Sequence, residues 1–479
     1  MPFDLTRLRQ QDWLLGNSDR QSQDFNATFR QVWEARLGEL RRVMAQSDYP
    51  PMVMIAEPDP VVFLGSVAAA LAAHCPIALG NPAWAIAEWQ AALTQVNPHV
   101  IWAANLPVQP ERAPANIAIA QPDWVLIPTG GTSGKIRFAI HTWRTLTIAA
   151  DGFRQHFNQP IVNSCCVLPL YHVSGLMQVI RVWRSQGQLA LASFRNFAAG
   201  SLVHLDPTAF FVSLVPTQLQ RVMPQSRVRD WLRRCRAVLL GGGPSWPPLR
   251  SQARQHQIPI ALTYGMTETG AQVATLHPDL FLAGHESCGR VLPHVAIACV
   301  DEHGHLLPPG TPGILQIQTE SLCLGYLPDV TLNRTFLADD VGYLDAQGEL
   351  HLIGRHSTQL ITGGENVFPE EVEAVIRETG CVVDVAIVGV SDCIWGDRIV
   401  AVFVPMTDRM LNSQPTQVQS PPHPTIAIAL NQHLSRFKHP KFWMAVDELP
   451  RQGNGKLNRA TITAIAEQWC QQYGSSHSG

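Results

Sequence analysis

The sequence predicts an α/β protein that passes into a β-rich subdomain after about residue 285 and ends in a small α+β domain. Three observations carry that expectation. The apolar runs PMVMIAE, HVIWAAN, DWVLIPT, SCCVLPL, AFFVSLV, AVLLGGG and PIALTYG are separated by helical stretches, the pattern of parallel strands covered on both faces. The stretch VAIACVDEHGHLLPPGTPGILQIQ then breaks into short strands, with Pro308-Pro309-Gly310 as a turn. Beyond it, VVDVAIVGV and DRIVAVFVP alternate with a helix.

In chain order, MPFDLTRLRQQDWLLGNSDRQSQ holds acids and no apolar h-region, so it does not read as a signal peptide. VVFLGSVAAALAAHCPIAL (61–79) approaches membrane length, but it carries His74 and Pro76 and follows Asp59-Pro60. A buried helix followed by a strand explains it better than a membrane span. A second boundary falls in GRHSTQLITGGENVFPEEVEAVI (354–376), where Gly363, Gly364 and Pro369 punctuate the chain. There Glu370 and Glu371 open a helix at its positive end. Thr407 to Thr425 is polar and Pro-rich and reads as a surface loop.

A length of 479 residues exceeds one core and implies two or three domains. With 46% apolar and 15% charged residues the chain is globular, and a net charge of −3 without a long basic run argues against a nucleic-acid partner. The ten cysteines are scattered, with no C-x₂-C pairs. That pattern argues against a zinc site or a disulfide scaffold and suits a reducing, cytoplasmic compartment.

The stretch PTGGTSGKIRF (128–138) raises the question of phosphate binding. A Walker A loop needs G-x-x-x-x-G-K-[ST], but Thr129 stands at the opening glycine and Ile136 follows Lys135 where a metal-binding hydroxyl is required. What remains is a strand emptying into a turn of Gly, Thr and Ser, a nest of N–H groups suited to a polyphosphate.

Together with LPLYHVSGL, LTYGMTET, FLADDVGYLD, GRHSTQLITGGENVFPEEVE and PRQGNGKLNR, this loop resembles the ordered core motifs of the acyl-adenylate-forming enzymes, over roughly residues 50 to 460. The resemblance implies two parallel-type sheets with helices in a large N-terminal domain (1–353), whose β-rich subdomain spans about 285–353. It also implies a hinge at 354–358 and a small mobile C-terminal domain (359–479). ATP and Mg²⁺ are the implied cofactors and CoA the implied co-substrate. The implied partners are these small molecules and a carboxylic acid, with no membrane span, for a monomer or homo-oligomer.

Residue by residue, the resemblance assigns the phosphate grip to Thr129, Gly130, Gly131, Thr132, Ser133 and Gly134, with Arg137 in place of the family's last lysine. Lys135 stands at a variable position. Glu268 matches the Mg²⁺ ligand, Thr267 an α-phosphate contact, and Tyr264 and Gly265 the adenine and acyl surroundings. Asp340 matches the ribose-binding acid and Asp339 its confusable neighbour. Arg355 is a further ribose or phosphate contact, and Lys456 matches the catalytic lysine. Ser357 and Thr358 replace the usual hinge acid, and Gly363 to Asn366 would approach the thiol channel.

LPLYHVSGL, SLVPTQLQR and VLLGGGPSWPPL are most similar to the o-succinylbenzoate–CoA ligase branch, which serves menaquinone and phylloquinone biosynthesis. That resemblance puts His172 near the acyl group, or packs it as a satisfied core histidine. Ser213, Val215, Thr217 and Gly241, Gly242 and Gly243 become pocket walls. Such a substrate has a second carboxylate, for which Arg181 is the candidate cation; a surface arginine is the plain alternative.

Overall fold

The computed structural model describes residues 3–47, 49–108, 121–130, 136–243, 245, 247–330, 334–362, 365–392, 396–406, 421–451 and 457–473. The chain packs as two compact units. The first comprises Met1–Gly242, His256–Ile297 and Ile317–Phe336; the second comprises Gly243–Gln255, Ala298–Gln316 and Leu337–Gly479.

The first unit holds two large sheets. In the eight-stranded sheet the order is Leu14–Leu15, Leu189–Leu191, Asn163–Cys166, Phe210–Leu214, Ala237–Leu240, Ile260–Met266, Ala271–Thr275 and Arg290–Val291. Its first six strands run parallel, joined by helical crossovers, and its last two run antiparallel. The seven-stranded sheet runs Asp329–Val330, Gly325–Tyr326, Ile136–Thr142, Trp124–Gly130, Ile77–Leu79, Val53–Ala56 and Val100–Ala103. Here the last four strands are parallel.

The expected parallel strands are thus present, and loop length explains where parallelism stops. Only residues 131–135 separate Trp124–Gly130 from Ile136–Thr142. A parallel crossover needs about a dozen residues, so a connection this short forces an antiparallel hairpin. The same limit acts between Ile260–Met266 and Ala271–Thr275.

The apolar run at 61–79 forms the helix Pro60–Ala72 and the strand Ile77–Leu79, as the sequence predicts. Asp59 caps the helix by accepting from the N–H groups of Val61 and Val62, and Pro60 opens it with a preset φ. The helix is buried in one core cluster with Phe29, Trp102 and Trp183, which accounts for its all-round apolarity. Among the described residues no helix is long and apolar enough to cross a membrane. The described cysteines are free thiols, most of them buried.

A four-stranded sheet, Val295–Val300, Gly313–Thr319, Thr335–Leu344 and Leu350–Arg355, accounts for the β-rich texture after residue 285. The last sheet combines Glu365–Val367, Leu360–Thr362, Gly396–Pro405 and Val382–Asp392 with Phe442–Ala445. Alternate residues divide its core between two faces. Ile387, Ile399, Ala401 and Phe403 pack with the helix Pro369–Glu378, while Ala386, Val388, Val400 and Val402 pack with Ile462, Ala466 and Trp469. One expectation is corrected here: Pro424 and Thr425, read as loop, begin the helix Pro424–His433, capped by His423. Residues 407–420 of that loop lie outside the described residues.

Candidate active site

The YGMTE stretch leaves the strand Ile260–Met266 through a single 3₁₀ turn, Thr267–Thr269, and returns as Ala271–Thr275. Gly265 is obligatory, because a Cβ there would lie 1.9 Å from the Ala271 carbonyl oxygen. Gly270 closes the turn at φ +68°, in the left-handed region that glycine occupies without strain. Side chains then fix the turn. The Thr269 hydroxyl donates to the Ala271 carbonyl at 2.7 Å, and the Ser321 hydroxyl donates to the Thr269 carbonyl at 2.9 Å.

His141, fully buried, meets the Thr267 carbonyl through Nε2 at 2.7 Å and the Thr145 hydroxyl through Nδ1 at 2.9 Å. Burial pushes its pKa down to about 4, against the opposing hydrogen bond to Thr267, so the ring is neutral at pH 7. With Nε2–H donating to a carbonyl, Nδ1 is the acceptor.

Glu268 is 8% exposed, and its carboxylate accepts the Tyr326 phenol at 2.5 Å. Burial, and then the Glu268 charge, hold that phenol well above its ordinary pKa. The other face of this cluster is cationic. The Arg137 guanidinium lies 4.2 Å from the centroid of the Tyr326 ring. Thr129 stands opposite Arg137 across the hairpin, and Gly130 opposite Ile136. Gly131, Thr132, Ser133, Gly134 and Lys135 lie outside the described residues.

The acyl-side candidates gather at the carboxyl ends of adjacent parallel strands, where α/β sheets offer ligand crevices. Ser213 is the penultimate residue of Phe210–Leu214, Val215 stands at the N-cap of the helix Pro216–Val222, and Thr217 lies in its first turn. The neighbouring strand Ala237–Leu240 runs out into Gly241 and Gly242, and the next carries Tyr264, which is 7% exposed. A Cβ at Gly241 would fall 2.2 Å from the Thr263 hydroxyl, and Gly242 sits at φ +78°. Gly243, exposed, follows it. His172 is half-buried at the start of the helix Val173–Ser185, its ring centroid 4.6 Å from that of Tyr171.

Arg181, on that helix, is 4% exposed and so is no surface arginine. Its Nη2 donates to Gln272 Oε1 at 2.5 Å, and the guanidinium lies 4.0 Å from the Phe153 ring centroid. Among the described residues no carboxylate pairs with it, and its Nε is buried without a partner. Burial lowers its pKa to about 9, which leaves it charged at pH 7. Beside it, burial and then the Arg181 charge push His294 down to about 4. That ring fits only because residue 152 is glycine, whose Cβ would lie 1.9 Å from Nδ1.

The remaining candidates belong to the second unit. Asp340 and Arg355 face each other across Thr335–Leu344 and Leu350–Arg355, with Nε 3.4 Å from Oδ1. Asp339 turns elsewhere, accepting the Ser357 N–H at 2.9 Å and the Ser357 hydroxyl. Lys456, Gly363 and Gly364 lie outside the described residues. The residues flanking 452–456 are well held. Arg451 and Leu457 bridge, the Asn458 N–H donates to the Pro450 carbonyl at 2.9 Å, and Arg451 pairs with Asp384. Arg459 reaches Glu373 at 2.8 Å and Glu370 at 3.1 Å.

Sequence reasoning missed Tyr326, His141, Gln272, His294 and the Glu373–Arg459 pair. The only local signal for Tyr326 is the preceding Gly325, whose φ of 130° lies where residues with side chains are rarely found.

Comparison with known proteins bears on the whole chain. Residues 87–327 match the model of the AMP-binding enzymes, and residues 371–456 match that of the AMP-binding enzyme C-terminal domain. A 2-succinylbenzoate–CoA ligase from Geobacillus sp. (strain WCH70) is 31% identical over 346 residues, covering 70% of this chain and 68% of the relative. An indoleacetate–CoA ligase from Aromatoleum aromaticum is 27% identical over 442 residues, 90% of this chain and 82% of the relative. Among solved structures, Bacillus subtilis o-succinylbenzoate CoA synthetase with its acyl-adenylate intermediate superposes with TM-score 0.76 at 21% identity, over 96% of this chain and 97% of that one. Carrying both domains in order, the chain belongs to the family of AMP-binding enzymes.

Proposed function

We propose that the protein is an ATP-dependent carboxylate–CoA ligase whose substrate is o-succinylbenzoate. In the first step a substrate carboxylate oxygen attacks the α-phosphorus of ATP and pyrophosphate leaves. In the second the CoA thiol attacks the acyl carbonyl, loses its proton, and AMP leaves. The observation that carries the reading is the joined cluster of Glu268, Tyr326 and Arg137: a buried acid and a hairpin cation that share one tyrosine.

Glu268 is the residue that would hold Mg²⁺, and the donor chemistry fits. Among the described residues no group of three His, Cys, Asp or Glu could cage a metal, whereas Mg²⁺ beside nucleotides typically takes one or two carboxylates plus phosphate oxygens. Bound there, the ion would neutralise charge on the polyphosphate. Thr267, held through its carbonyl by His141, would contact the α-phosphate, and Arg137 would grip the departing pyrophosphate. Thr129, Gly130 and the 131–134 stretch would supply the rest of that grip. Tyr264, Gly265, Asp340 and Arg355 would bind the nucleoside, and Lys456 would bridge carboxylate and α-phosphate. Arg137→Ala should therefore slow adenylation about a hundredfold and Lys135→Ala much less, read as pyrophosphate release in single turnover.

Arg181 supports the dicarboxylic substrate. A buried guanidinium without an acid partner is costly, and the substrate's second carboxylate would offset that cost. His172, Ser213, Val215, Thr217 and Gly241–Gly243 would wall the aromatic ring. Mass spectrometry of products formed from ATP, CoA and o-succinylbenzoate, against benzoate, octanoate and indoleacetate, tests the reading. Preference for indoleacetate, suggested by the relative that spans 90% of the chain, would replace it with an aryl-acetate ligase. Arg181→Met should raise KM for o-succinylbenzoate about a hundredfold and leave KM for ATP unchanged. Parallel changes in both would remove Arg181 from the acyl site.

A further inference from the structure

We propose that Tyr326 is a positioning residue with two separable duties. Its hydroxyl orients the Glu268 carboxylate for a divalent cation, and its ring holds Arg137 ready at the mouth of the phosphate hairpin. The proposal rests on the reading of Glu268 as the metal-binding acid.

The backbone sets this placement before any side chain does. Tyr326 pairs with Ala139 on the antiparallel strand Ile136–Thr142, so Arg137, two residues along, occupies the diagonal position within reach of an aromatic ring. The segment is tied on both sides. Cys323 N–H donates to the Glu268 carbonyl at 2.8 Å, Leu324 N–H to Ile140 at 2.7 Å, and Leu327 N–H to Phe138 at 2.9 Å. The phenol therefore arrives at Glu268 with little freedom, and the 2.5 Å hydrogen bond restricts rotation of the carboxylate. Carboxylates that ligate metals are commonly held in this way, and loss of the outer partner weakens the site.

Arg137 is held differently. It is exposed, and among the described residues no carboxylate pairs with it. Stacking on the Tyr326 ring engages the face of the guanidinium and leaves its in-plane N–H donors for an anion. A salt bridge to Glu268 would have consumed both groups. The intervening ring keeps the acid for a cation and the arginine for phosphate.

The test is calorimetric binding of ATP to the full chain, without carboxylic acid or CoA, in EDTA and across a Mg²⁺ series. Tyr326→Phe keeps the ring and removes the hydroxyl. It should bind metal-free ATP as the parent does, but need about tenfold more Mg²⁺ to reach the same affinity gain. Tyr326→Leu removes both and should also weaken metal-free ATP about threefold. Unchanged Mg²⁺ dependence in Tyr326→Phe overturns the first duty. Identical metal-free affinities for the two variants overturn the second. A uniform loss in every arm makes Tyr326 merely structural and overturns both. Glu268→Gln in the same titration separates the parent reading: if it leaves Mg²⁺ dependence intact, Glu268 is not the metal acid. If it abolishes that dependence while Tyr326→Phe does not alter it, the Tyr326 proposal alone fails.

Discussion

Lys456→Ala is expected to slow acyl-adenylate formation about 10²- to 10³-fold, while thioester formation from preformed acyl-adenylate proceeds at the parent rate. An ammonium on a flexible stem can meet charge that develops on the α-phosphate without fixing both carboxylate oxygens as an arginine would. The residues on either side are well held, by the bridge between Arg451 and Leu457, the Asn458–Pro450 hydrogen bond and the Arg451–Asp384 pair. Rapid-quench measurement of pyrophosphate release, set against consumption of synthetic acyl-adenylate by CoA, checks the expectation. Equal losses in the two half-reactions would deny Lys456 its specific role.

Glu373→Ala should destabilise the second unit by about 3–5 kcal/mol, the range for breaking a buried ion pair from one side. Glu373 is 1% exposed and accepts from Arg459 at 2.8 Å and from the Ile387 N–H at 2.9 Å, with Arg377 3.4 Å away. Burial raises its pKa, but Arg459 and Arg377 outweigh that and hold it below the usual carboxylate range. Removing the carboxylate leaves Arg459, at the start of the helix Arg459–Tyr473, with Glu370 as its one acid partner among the described residues, and takes the acceptor from the buried Ile387 N–H. Glu373→Gln keeps an acceptor for Ile387 and should lose less. Calorimetric unfolding of the full chain measures both, and a loss below 1 kcal/mol in Glu373→Ala would show the pair to be well compensated by solvent.

The strand framework was readable because buried parallel strands must be apolar on both faces, as PMVMIAE and AVLLGGG are. The hairpin strand Ile136–Thr142 was not, since its KIRFAIHT texture mixes charge with apolar residues and only the short loop before it betrays the pairing. Motif order singles out Glu268, Gly265 and the glycines after Leu240, and close approach explains why Gly265 and Gly241 carry no side chain. It does not single out Tyr326 and His141: they meet the YGMTE turn from 58 and 126 residues away, and neither distance leaves a sequence pattern. Motif position alone separates the adjacent aspartates in the sequence, and it gives no physical reason for the difference. Strand register sends Asp340 to Arg355, while Asp339 binds Ser357. Nothing in the local sequence marks Glu373 as buried, since its partner Arg459 lies 86 residues on.

The solitary burial of Arg181 reaches beyond affinity. If its countercharge comes from the substrate, the unliganded chain carries an electrostatic debt that the acid discharges, and ligand binding adds stability by mass action. Proteases draw on the small unfolded fraction, so shifts of one or two kcal/mol alter a protein's abundance several-fold. Enzyme copies without an acid to process would be the ones degraded, and the amount of ligase in the cell would track the supply of its own substrate.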